Sequence, residues 1–102
     1  MYRDSSSNPL LILLRDDLGD PGLTIAQACH AVYEFGRNNH QKQTNEYIYV
    51  LRAPKDGIEL MAEVLEFERE PFALFREPDM NNEATALCCS INPGRLSKYK
   101  KF

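Results

Sequence analysis

The sequence has little of what usually announces a specific chemistry. Only three cysteines occur in 102 residues, and two of them, Cys88 and Cys89, are adjacent. Neighbours on a strand point to opposite faces, and no Cys-x-x-Cys or Cys/His metal spacing is present. The plain reading of Cys29, Cys88 and Cys89 is small apolar core residues in a reduced compartment. No apolar run approaches the roughly 18 residues that a membrane span needs. The opening MYRDSSSNP lacks the charged-then-apolar pattern of a secretory signal, so a cytoplasmic location with no membrane partner is expected. Gly-x-Gly-x-x-Gly, P-loop and Gly-x-Ser-x-Gly patterns are missing, which argues against a nucleotide-cofactor enzyme or a serine hydrolase. No cofactor and no metal are expected. Net positive charge is missing too. The formal charge of −3 is a poor global signal for nucleic-acid binding, although a local patch can outweigh the total.

What is present suits one domain. A chain of this length buries about 60–68% of its unfolded surface, enough for a single two- or three-layer core. Hydrophobic content of 43% and charged content of 26% are ordinary for a globular protein. The organisation reads as a polar N-terminal arm over 1–8, a domain over 9–94 and a basic C-terminal tail over 95–102. No internal repeat is visible.

Leu10–Leu14 is a continuous apolar run of strand length, as expected for a strand covered on both faces. DLGDPG then signals a turn, and Thr24 with Gln27 forms the S/T-x-x-E/Q pattern of a helix start. At 100° per residue, Ile25, Ala28, Cys29, Val32, Phe35 and Gly36 share an apolar side. Gln27, His30, Glu34 and Arg37 share the polar side, and the helix ends near Asn38–Asn39. Glu46–Arg52 is a second strand. Asp56 caps a second helix over Gly57–Glu68, with Ile58, Met61, Val64 and Leu65 inward and Glu59, Glu63 and Glu66 as its wet stripe. Phe72–Phe75 and Ala84–Ile91 are further strands, joined by a turn at EPDMNNE. The tail is a short helix or a flexible end. The order β-α-β-α-β-β predicts an α/β domain of three-layer α/β/α type with a mixed four-stranded sheet. Its crossovers imply parallel pairing and its last connection an antiparallel hairpin.

Two clusters could carry chemistry. His30 fits either an exposed helix histidine or a general acid/base, since imidazole exchanges protons near neutrality. Gln27 fits a capping role or a polar role beside it, and Glu34 reads as a surface carboxylate. The second cluster follows the third strand. If strands one and three run parallel, Glu77 and Asp79 approach the first loop and helix, where Asp16 and Asp17 could join them. There a carboxylate could orient His30 or activate water, or the segment is an ordinary polar turn. In the tail, Lys98-Tyr99-Lys100-Lys101-Phe102 interleaves charge with rings, suited to phosphates and bases or simply to solubility.

The stretch Arg15–Phe35, with Ile25-Ala26-Gln27-Ala28-Cys29-His30-Ala31 at its core, resembles the strand–loop–helix of the peptidyl-tRNA hydrolase 2 family. That family writes its helix Ala-Ala-Gln-x-x-His-Ala, and the resemblance extends over roughly 9–91 through a second motif at Leu74–Leu87. It implies water-mediated, metal-free hydrolysis of the ester of peptidyl-tRNA or a related aminoacyl ester, and a homodimer. It puts His30, Gln27 and Glu77 in the catalytic positions. Arg15, Asp17, Arg76, Asp79, Asn81 and Asn82 are the expected substrate-binding residues, with peptidyl-tRNA or another RNA as partner. Asn81, Asn82, Gln27 or the helix N–H groups would serve the oxyanion. The chain departs from the pattern at Leu23, where the family loop carries lysine, and in the shortened segment Glu77–Asn82. These departures keep a second expectation open, a binding module of the same fold that engages a protein or RNA partner without turnover.

Overall fold

Five successive aliphatic residues, Leu10–Leu14, form strand β1, and their alternation divides the core. Ile12 and Leu14 enter one apolar cluster with Ala31, Phe35, Ala73, Ala86 and Cys88. Leu11 and Leu13 enter another with Leu51, Ile58, Leu65, Leu87 and Cys89. A computed structural model describes residues 8–39 and 47–102. After β1 come α1 (Pro21–Asn38), β2 (Ile48–Arg52), α2 (Lys55–Phe67), β3 (Phe72–Glu77) and β4 (Glu83–Cys89). Short 3-10 turns cover Pro78–Met80 and Pro93–Leu96. Because α1 supplies the first cluster and α2 the second, the helices lie on opposite faces of the sheet. This is the expected three-layer α/β domain with a mixed four-stranded sheet.

The strand order is β2-β1-β4-β3. β1 pairs parallel with β2, whereas β4 is antiparallel to both β1 and β3. Parallel pairing is thus confined to β1 and β2, and the second crossover carries β3 to the far edge. Sequence chemistry explains the order. β4 (EATALCC) is buried at every position after Glu83 and lies inside the sheet, while the partly exposed β2 and β3, each ending in charged residues, take the edges. The register between β3 and β4 shifts at Phe75/Arg76.

The start of α1 corrects one expectation. Asp20 is the N-cap, accepting from the Gly22 and Leu23 amides at 2.9 and 3.2 Å, and Pro21 opens the helix. An Asp-Pro pair suits these two positions, since the carboxylate satisfies orphan N–H groups and proline lacks one. Thr24 lies a turn further in, where its hydroxyl donates to the Asp20 carbonyl at 2.9 Å. Gln27 is therefore free of any capping role. The inward stripe also differs: Thr24, Gln27, Ala31 and Phe35 are buried, whereas Ile25 is 63% exposed and Cys29 and Gly36 face outward. A polar amide is assigned outward by pattern, but Gln27 finds partners for both ends inside.

Smaller differences follow from local backbone chemistry. α2 begins at Lys55 directly after Pro54, with Asp56 in its first turn and no side-chain cap. Ile58, Ala62 and Leu65 are buried, and Met61 and Val64 are half-buried. β3 continues two residues beyond Phe75, and β4 begins at Glu83 and stops at Cys89. Glu46, expected to open β2, lies outside the described residues, as do 1–7 of the N-terminal arm. Asn8 is tied down, its carbonyl accepting from the Ser90 hydroxyl at 3.1 Å. The tail lies against the domain. Leu96 is buried, and the amides of Arg52 and Phe102 donate to the carbonyls of Lys100 and Val50 at 2.7 and 2.8 Å along the outer edge of β2. Among the described residues no helix is long and apolar enough to cross a membrane.

Candidate functional site

β1, β2 and β3 point the same way, so their carboxyl ends share one edge of the sheet. Ligand crevices of open α/β sheets form outside such ends. On β3, alternation sends Phe75 and Glu77 toward α1, while Arg76 between them reaches Glu59 of α2 at 3.5 Å.

Gln27 is the hinge of the cluster. It is 1% exposed, its amide nitrogen donates to Glu77 Oε1 at 2.8 Å, and its amide oxygen accepts from the buried Thr85 hydroxyl at 2.5 Å. The second Glu77 oxygen accepts from the Asp79 amide at 3.2 Å. These bonds favour the ionised form, so the Gln27 amide first, then the Asp79 N–H and the His30 charge, hold the Glu77 carboxyl below the usual carboxylate range. His30 is exposed one turn along α1, its ring lying flat on Phe75 with centroids 4.3 Å apart and planes 9° apart. The three expected catalytic positions, His30, Gln27 and Glu77, are therefore gathered at one place from α1 and the end of β3.

The expected binding residues are placed around it unevenly. Arg15 is 7% exposed, and all three of its side-chain nitrogens donate to partners. Its Nε and Nη2 donate to Asp17 at 2.9 and 3.0 Å, and its Nη1 donates to Glu83 at 2.9 Å and to the Ala84 carbonyl at 3.2 Å. The carboxylates push the guanidinium further up, and Arg15 in turn holds Asp17 and Glu83 below the usual range. Arg76, exposed, donates to the Asn82 carbonyl at 3.2 Å. Asn81 and Asn82 are exposed with φ of 55° and 60°, a left-handed pair that asparagine tolerates better than most residues. The Asn82 amide donates to the Glu77 carbonyl at 3.0 Å, closing the turn. Asp79 is exposed in the 3-10 turn between them. At the start of α1, the amides of Gly22, Leu23 and Thr24 are all taken by Asp20.

Sequence reasoning missed Thr85, Glu83 and the ring-stacking role of Phe75. Thr85 had a legible signal: it is the one hydroxyl in the apolar run Ala84–Cys89. Among the described residues no group of three or more His, Cys, Asp and Glu side chains is placed to hold a metal ion. Compared with models of known protein families and with curated proteins, the chain matches none.

Proposed function

We propose that the protein hydrolyses the ester bond of peptidyl-tRNA or a related aminoacyl ester, with water as nucleophile and no metal. The observation that carries the reading is the meeting of His30, Gln27 and Glu77, whose residue types and spacing resemble the peptidyl-tRNA hydrolase 2 pattern. His30 takes the proton of the attacking water, and the Phe75 ring beneath it fixes the plane in which the imidazole is offered. The Glu77 carboxylate stabilises the imidazolium that forms, and Gln27 holds that carboxylate in place. Asn81 and Asn82, exposed in the turn that follows Glu77, serve the developing oxyanion, a role worth about 3–4 kcal/mol where one donor is well aimed. The reading puts the protein in translation, in the cytoplasm, and by family analogy as a homodimer.

A second reading, a binding module without turnover, is favoured by one observation. The arginines that could replace the lysine absent at Leu23 are each engaged with acids: Arg15 with Asp17 and Glu83, Arg52 with Asp16, Arg76 with Glu59. The test is peptide release from a purified N-blocked aminoacyl-tRNA, wild type beside His30→Ala. The hydrolytic reading expects release by the wild type and a loss of about 10²-fold or more in the variant, with an unchanged melting curve. No release by folded wild-type protein selects the binding module.

A further inference from the structure

The tail and the β2 edge border an open cleft of about 510 Å³ beyond the carboxyl ends of β1 and β2. Its wall includes Asp16, Asp17, Arg52, Lys98, Tyr99 and Lys100, and none of His30, Gln27 or Glu77. Both acids are already engaged, Asp17 by Arg15 at 2.9 Å and Asp16 by Arg52 at 3.5 Å. Lys98 and Lys100 are exposed and enter no ion pair among the described residues, so the charge left over in the cleft is positive.

Three cations of this edge each lie beside an aromatic ring, Lys98 and Arg52 in the cleft wall and Lys101 in the adjoining pocket that Tyr49 lines. Lys98 Nζ sits 5.2 Å from the centre of the Tyr99 ring, Lys101 Nζ 5.3 Å from that of Tyr49, and the Arg52 guanidinium 4.8 Å from that of Phe102. Tyr49 and Tyr99 are half-buried and Phe102 is exposed. A row of positive charges tracks a phosphate backbone, and rings held between them offer faces on which unpaired bases stack. A duplex hides those faces, and an acidic peptide has none.

We propose that this edge is a binding groove for a single-stranded segment of RNA, with Lys98 and Lys100 on the phosphates and the Tyr99 and Phe102 rings against the bases. The assignment rests on the proposed function only in taking RNA as the nucleic acid, and its test uses no turnover. Full-length protein is titrated into a fluorescein-labelled single-stranded RNA of about eight nucleotides, within the ~4–16 that comparable sites cover, and anisotropy is followed from about 50 to 200 mM salt. Wild type should bind with a salt-dependent constant. Lys98→Ala/Lys100→Ala should flatten the logarithmic salt slope by about 1.4, two contacts at ~0.7 each. Phe102→Ala should weaken binding about fivefold or more and leave the slope unchanged. An unchanged slope in the lysine variant, no binding by wild type, or equal displacement by a duplex RNA or a polyglutamate peptide overturns the groove. RNA binding at this edge without peptide release sinks the hydrolytic reading alone. Release with lysine-independent RNA binding sinks the groove alone.

Discussion

The Gln27 amide nitrogen stands 2.8 Å from Glu77 Oε1 across fifty positions of chain, and the Thr85 hydroxyl holds the other end of the same amide. A buried residue of the helix thereby sets the direction of an acidic group at the sheet edge. Gln27→Leu keeps the volume and removes both bonds. It leaves Thr85 only the Phe75 carbonyl at 3.4 Å, so a loss of about 1–3 kcal/mol is expected in urea unfolding. Gln27→Glu should be worse, because a second carboxylate then faces Glu77. A Gln27→Leu protein as stable as wild type would remove the amide from its structural role.

Acid should weaken the protein through Arg15 and its partners. Asp17 and Glu83 are both held below their ordinary values of 3.8 and 4.5, and Glu77 below 4.5. A carboxyl with a lowered folded value adds stability that is complete above its unfolded value and disappears as pH falls through the folded one. Melting temperature should therefore be level with respect to these groups above about pH 5 and fall below it. In Arg15→Met the acid-dependent part should shrink, and stability at neutral pH should fall by roughly 1–3 kcal/mol, toward the lower end because Asp17 regains water.

The thiols should divide one against two. Cys29 is exposed on α1, while Cys88 and Cys89 are buried on opposite faces of β4. Burial pushes the Cys88 thiol up and the Cys89 thiol to about 12, so neither supplies thiolate at neutral pH. Native protein should take one maleimide, lost in Cys29→Ser, and unfolded protein should take three. Rapid labelling of two sites in the native state would contradict the burial of β4.

The cap of α1 can be tested by two substitutions at Asp20. Asp20→Ala should cost about 1 kcal/mol, which in a domain of this size lowers the melting temperature by roughly 4–8 °C. Asp20→Asn should stay within a few tenths of wild type, since asparagine caps as well as aspartate.

Periodicity suffices where a side chain's partners are water or hydrocarbon. Leu10–Leu14, the strand at Phe72, the hairpin and the two crossover helices are all readable on that basis, and so is the exposure of His30. The gathering of Glu77 toward the first helix follows from the common direction of β1 and β3. The same logic fails where polar groups satisfy one another at long range. Gln27 reads as a surface or capping residue until Thr85 and Glu77 are seen to meet it, and Arg15 reads as a free cation until Asp17 and Glu83 surround it. Helix starts are read too late for a nearer reason: Asp20-Pro21 and Pro54-Lys55 each compete with another capping residue a few positions downstream, Thr24 and Asp56.

The register shift opposite Phe75 and Arg76 has an effect on the two layers at once. Phe75 faces Ala86 and Arg76 faces Ala84, leaving Thr85 as the extra residue of β4. Strict alternation from Leu87 would turn Thr85 toward α2 and Ala84 toward α1. Instead Thr85 reaches Gln27 of α1, and Ala84 packs in the α2 cluster. The bulge is a phase switch: it lets one strand obey its apolar pattern on both sides and still present a hydroxyl to the helix that carries His30. Deleting Thr85 would regularise the ladder and remove the anchor together, so the geometry of the site is written in an irregularity of the backbone as much as in its side chains.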